Sequence, residues 1–266
     1  MSAPVSGPRL VTVAHGTRQV EGNIVAAALT RAAGARLGLP AVASYVELCP
    51  PLLGDVLRAG PPAGLLGVDP PRVDPPRVDP PRVDPLRVDP WGADDGPTLV
   101  VPLLLSTGYH LRVDLPAAVA DAPGRVELGG PLGPDPLLAS AQVERLLAAG
   151  AVRGQPVTMV AAGSRDPAAT ADLAAAADLL SGQWGAPVRL ATLAGLGPRV
   201  LDVVRPGDAV SPYLLSPGHF ADRARELGRS AGAEAVAEVI GPHPDVVELV
   251  ASRARALLGL SLAGSR

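Results

Sequence analysis

Lysine is absent from this 266-residue chain; every one of its basic residues is arginine. With a net charge of −3 and no basic run, the chain carries no electrostatic footprint for nucleic acid. Aromatic residues make up only 2%, which removes the stacking platforms that bind RNA or single-stranded DNA and leaves Ala, Val and Leu to build the core. One cysteine, Cys49, excludes an internal disulfide, a zinc-finger cluster and a Cys-ligated iron–sulfur centre within the chain. No stretch offers about 18 consecutive apolar residues, and Met1 to Arg9 lacks the basic and apolar regions of an export signal. The expectation is therefore a cytoplasmic protein that neither crosses a membrane nor binds nucleic acid. A Gly-x-Gly-x-x-Gly turn, a Walker loop and a Gly-x-Ser-x-Gly elbow are all missing, so neither nucleotide binding nor serine hydrolysis is expected.

What remains is a globular composition, 47% hydrophobic and 18% charged. Short β-branched runs alternate with Ala- and Leu-rich stretches, the rhythm of βαβ units around a parallel sheet. Strands are predicted over 10–14, 41–48, 98–105, 125–128, 156–161, 187–193, 208–215 and 234–240. Helices are predicted near 19–37, 50–58, 112–122, 136–150, 166–183, 197–204, 218–230 and 244–258. In the first of these, Val20, Ile24, Ala28 and Ala32 recur every four positions. Between 68 and 90 the triplet Val-Asp-Pro occurs five times at a five-residue period. Proline at that density removes backbone donors and favours extended conformations, so 60–97 reads as a flexible surface loop.

A second repeat is less visible. Val13-Ala14-His15-Gly16-Thr17-Arg18 matches Val160-Ala161-Ala162-Gly163-Ser164-Arg165. Pro102 to His110 matches Pro212 to Phe220, and Leu132-Gly133-Pro134-Asp135-Pro136 matches Ile240-Gly241-Pro242-His243-Pro244. Three matches in the same order predict a duplication. The lobes are expected at 8–150 and 155–262, each a four-stranded parallel sheet flanked by helices, with a cleft between them.

Ligands of parallel α/β sheets bind at the carboxyl ends of the strands. There the first half would place His15 at the end of its first strand, Glu47 at the end of its second and His110 after its third, with Gly16 and Gly108 permitting tight turns. Two imidazoles and a carboxylate form an incomplete ligand shell suited to iron, cobalt, nickel or zinc. The second half supplies an internal control. It carries Ala162 in place of His15, Phe220 in place of His110, and no acid near Leu193 and Ala194. Residues required by the fold would be required in both copies. Arg18, Arg112 and Arg165 can pair with carboxylates, and Ser106, Thr107, Gly108 and Tyr109 can present hydroxyls or backbone donors at the rim. His219 and His243 are the remaining histidines, the latter expected to cap the final helix.

At Val13 to Arg18, Tyr45-Val46-Glu47-Leu48 and Val101 to His110 the chain resembles the sirohydrochlorin chelatases of the CbiX and SirB type. The resemblance spans both halves except residues 60–97. It implies two similar Rossmann-like lobes around a cleft that binds a carboxylate-rich tetrapyrrole and inserts Fe2+ or Co2+ without ATP, towards siroheme or cobalamin. It places His15 and His110 at the metal-handling positions and Glu47 at the acidic position between them. Arg18, Ser106, Thr107, Gly108, Tyr109 and Arg112 would then contact the substrate. The chain would act as a monomer or homodimer. The competing expectation is a non-catalytic protein that binds or delivers metal or tetrapyrrole.

Overall fold

A computed structural model describes residues 7–59 and 96–263; most of the Val-Asp-Pro loop expected over 60–97 lies outside them. The chain runs β1 (Arg9–Ala14), α1 (Val20–Leu37), β2 (Ala41–Tyr45), α2 (Leu53–Ala59), β3 (Thr98–Pro102), a single π-helical turn (His110–Asp114), α3 (Leu115–Ala120), β4 (Val126–Leu128) and α4 (Pro136–Ala148). The second half repeats the pattern with β5 (Val157–Ala161), α5 (Pro167–Trp184), β6 (Val188–Thr192), α6 (Val200–Val203), β7 (Ala209–Tyr213), α7 (His219–Ser230), β8 (Ala235–Val236) and α8 (Pro244–Ala263). All pairings are parallel, in the orders β2-β1-β3-β4 and β6-β5-β7-β8.

Both faces of each sheet are covered, which is why the strands read as nearly continuous apolar runs. Val11, Val13, Val42 and Val100 pack on the outer face of the first sheet with α2 and α3 residues such as Leu53, Val56 and Leu115. Leu10, Leu99 and Val101, facing the other way, share one core with Met159, Leu180, Trp184 and Ile240 of the second half. That core is continuous because the terminal helix of each half crosses over. Helix α4 lies against α5 and β7, and α8 against α1, β3 and β4. Gln142 of α4 donates to the Ser211 hydroxyl of β7 at 2.9 Å, and Arg253 of α8 reaches Asp135, the cap of α4, at 3.1 Å.

The periodic stripe of α1 does not face the core. Val20 and Ile24 are exposed, and the buried side is Gly22, Ala26, Leu29, Thr30, Ala33 and Gly34. Close approach selects small residues here: a Cβ on Gly34 would stand 2.5 Å from that of Ala41. Strands β2, β3, β6, β7 and β8 also end earlier than expected, while β1, β4 and β5 end where expected. β2 stops at Tyr45, whose N–H donates to the Pro51 carbonyl at 3.0 Å. Glu47 therefore sits in a turn beyond the strand.

Candidate functional site

His15 follows the last residue of β1, and two backbone bonds tie its turn to the one carrying Glu47. Val46 N–H donates to the Ala14 carbonyl at 2.9 Å, and Glu47 N–H to the His15 carbonyl at 3.2 Å. Gly16 makes this contact possible. It adopts φ +95°, and a Cβ there would lie 2.0 Å from the Glu47 carbonyl oxygen. Gly108 has no such role, since a Cβ there would meet nothing within 4 Å. Beyond Glu47, Leu48 is the one non-glycine residue with positive φ among the described residues, at 68°. The Cys49 N–H donates back to the Glu47 carbonyl across it at 2.9 Å, closing a strained γ-turn.

The turn after His15 is locked from behind. The Asn23 side chain accepts from Thr17 N–H at 3.2 Å and donates to the Thr17 carbonyl at 2.9 Å. Tyr45 OH in turn donates to the Asn23 carbonyl at 3.3 Å. Burial, with a smaller effect from Cys49, pushes the Tyr45 phenol up to about 12, so at neutral pH it remains a donor.

His110 opens the π-helical turn, a wide turn often found at functional sites. Its Nδ1 lies 2.6 Å from Asp114 Oδ2, four residues on along the same face. With Nδ1 engaged by this carboxylate, Nε2 is the nitrogen left for a ligand. Asp114 escapes the sequence reading, although His and Asp four apart on a predicted helix was a usable signal. Starting that helix at residue 112 hid the pair.

The three side chains expected to act together do converge. One ligand atom from each of His15, Glu47 and His110 lies within 4.8 Å of the other two. His15 Nε2 stands 3.7 Å from Glu47 Oε1, and the imidazole rings meet edge to face at 4.7 Å between centroids. The His15 and Glu47 side chains are about half exposed and His110 less so (49%, 51% and 29%). Three donors with this access leave positions open for exchange, whereas a structural site is closed and four-coordinate.

His15 and His110 line a cleft of about 400 Å³ between the lobes, as do Ser106, Thr107, Gly108 and Tyr109. Its far wall, from the second half, includes Ala162, Gly163, Ser164, Leu173 and Tyr213. Arg18 is exposed and does not line this cleft. Nor does Arg112, whose guanidinium pairs instead with Asp166, the cap of α5. His219 is exposed beside Phe220, and His243 is buried, bonded to Glu144 at 2.9 Å and accepting from Asp245 N–H, as a helix cap does.

The second half repeats the backbone without the chemistry. Ala194 N–H donates to the Ala162 carbonyl at 3.0 Å, so Ala194 is the counterpart of Glu47 and Ala162 that of His15. Gly195, at φ +71°, takes the place of Leu48.

Fold and site together define a two-lobed, all-parallel α/β protein with a His-Glu-His cluster at the rim of one sheet only. The CbiX family profile matches residues 93–149 and 156–257. The chain belongs to the CbiX family. A curated sirohydrochlorin ferrochelatase from Priestia megaterium is 28% identical over 179 residues, covering 60% of this chain and 67% of that protein. Among solved structures, SirB from Bacillus subtilis with Fe3+ superposes with a TM-score of 0.72 at 22% identity, over 97% of this chain and 98% of that one. SirB from Bacillus subtilis subspecies spizizenii in complex with cobalt gives 0.70 at 22% identity, over 94% and 95%. CbiX, the terminal enzyme of siroheme biosynthesis in denitrifying bacteria, gives 0.63 at 20%, over 93% and 98%. At these identities the structures establish the shared fold.

Proposed function

We propose that this protein inserts Fe2+ or Co2+ into sirohydrochlorin without ATP, in siroheme or cobalamin synthesis. The observation that carries the reading is the convergence of His15, Glu47 and His110 within 4.8 Å at the edge of an open cleft. Membership of the CbiX family and the likeness to a sirohydrochlorin ferrochelatase support it. A reducing cytoplasm suits both Fe2+ and the lone Cys49.

The chemistry is an exchange. The macrocycle gives up two pyrrolic protons as one divalent ion enters, so charge balances with no redox step and no nucleotide. His15 and His110 hold the incoming ion through imidazole nitrogens, which suit iron and cobalt better than magnesium or calcium. Glu47, beside His15, completes the donor set or takes a proton as the ion leaves. Once the ion has left them, the same imidazole nitrogens are free to accept the displaced protons. Asp114 fixes the ring orientation of His110. Ser106, Thr107, Gly108 and Tyr109 line the wall against which the tetrapyrrole would lie, and Arg18 is available to its carboxylates.

The test is the anaerobic rate of sirohydrochlorin metallation with Fe2+ or Co2+, followed by absorbance against the spontaneous rate. Wild-type protein at catalytic concentration is expected to accelerate it. His15→Ala and His110→Ala are expected to lower the rate at least about 100-fold, the scale for losing a positioned acid–base group, while leaving the melting temperature within a few degrees. Full activity in both variants would overturn the site. No acceleration by the wild type would make the protein a metal or tetrapyrrole carrier.

A further inference from the structure

The second lobe has lost all three ligand positions, yet it grips the segment that carries His110. Asp172, on α5, accepts a hydrogen bond from the Thr107 backbone N–H at 2.6 Å. Tyr213 OH donates to the Leu105 carbonyl at 3.0 Å, and Arg112 pairs with Asp166. These contacts bracket residues 105–112, which run from the irregular backbone after β3 into the π-helical turn.

We infer that Asp172 is a positioning residue: by holding the Thr107 amide across the cleft, it sets where His110 stands relative to His15 and Glu47. The inference rests on reading those three residues as the metal-handling cluster. Its physical basis is the contrast between the two ends of the bond. Thr107 lies three residues before His110, in irregular backbone next to Gly108, whose surroundings are open. Asp172 stands on an 18-residue helix anchored by the side-chain cap of Asp166 and by buried Ala169, Leu173, Ala176 and Leu180. A carboxylate accepting from an amide makes a charge-assisted bond, stronger than a neutral one. A rigid acceptor on one lobe thus fixes a loosely held donor on the other, and the distance from His15 to His110 depends on both lobes. This gives the ligand-free lobe a role in the reaction.

The test is a Co2+ titration of the full-length protein, followed by the visible absorption of the bound ion and accompanied by metallation kinetics. Asp172→Ala is expected to weaken Co2+ binding about tenfold or more and to change the absorption envelope, with kcat/KM falling in step and little change in melting temperature. Asp172→Asn keeps an oxygen that can accept from Thr107 and is expected to stay within a few-fold of wild type. Asp172→Ser, too short to reach, repeats the test should the alanine variant not fold. If Asp172→Ala binds Co2+ as tightly as wild type while His110→Ala does not, this inference falls and the proposed function stands. If Asp172→Asn is as weak as Asp172→Ala, the hydrogen bond is not the reason and the inference also falls. If His110→Ala binds Co2+ like wild type, the metal-handling cluster itself is wrong and both fall together.

Discussion

His110 illustrates how a single side chain acquires a defined chemistry. Alone, an imidazole offers either nitrogen; against Asp114 at 2.6 Å it offers Nε2. Asp114→Ala frees the ring to rotate and removes the hydrogen bond that presents Nε2. Co2+ affinity, measured by titration, is expected to drop about 10-fold to 100-fold with the fold intact. Tyr45 belongs to this scale as well. Its phenol is pushed from 10.0 up to about 12, chiefly by burial. Burial also pushes Tyr213 upward, with Asp172 and Asp135 adding to the effect. A folded chain that keeps a phenol neutral loses ground once the unfolded chain ionises. Stability from these groups is complete below about pH 10 and is lost as pH rises through the folded-state value. Urea melts between pH 9 and 12 are expected to show a steep alkaline loss that Tyr45→Phe makes shallower.

At the scale of an element, the turn between β2 and α2 holds its carboxylate at the expense of backbone strain. Leu48 occupies φ 68° with a full side chain, while the equivalent turn of the second lobe, which has no ligand to aim, uses Gly195 at φ 71°. Left-handed backbone costs a non-glycine residue about 1–2 kcal/mol, part of which glycine returns as chain entropy. Leu48→Gly is therefore expected to raise stability by up to about 1 kcal/mol while loosening Glu47 and weakening Co2+ binding. Thermal melts and metal titration of the same variant check both halves of that statement. Unchanged metal affinity would show that the strain has no bearing on the site. The π-helical turn at 110–114 has no counterpart in α7, a regular helix from its first residue. Irregular geometry thus falls in the copy that carries His15, Glu47 and His110.

For the whole molecule, the crossing of α4 and α8 decides how the halves depend on each other. Val246, Leu249 and Val250 of α8 are buried in the core shared with the first sheet. Each such aliphatic side chain is worth about 1.5–3 kcal/mol of burial, which together is comparable with the roughly 5–15 kcal/mol that holds a domain folded. Separate fragments 1–152 and 153–266 are expected to be unfolded or aggregated alone and to recover native circular dichroism and Co2+ binding when refolded together. Independent folding of either fragment would contradict this account of the core.

How much of this could be read beforehand follows from where the information lies along the chain. The eight strands and the helices between them were legible because apolar runs and Ala-Leu periodicity are local patterns. The duplication showed in three ordered motifs, and the site's histidines and Glu47 stood out because their counterparts Ala162, Phe220 and Ala194 lack the chemistry. The recurrence of Val20, Ile24, Ala28 and Ala32 marks α1 as a helix but not its buried face, because close helix packing selects Gly22, Ala26 and Gly34. Arg112, read as a substrate contact, meets Asp166, 54 residues away. The sequence by itself determined the element types, the repeat and which residues are candidates for the site, since each rests on residues near one another in the chain. The 4.8 Å convergence of those donors, the exchange of terminal helices and the hold of Asp172 on Thr107 were decided only by tertiary structure. They depend on contacts between distant segments, whose geometry exists only once the shared core has closed.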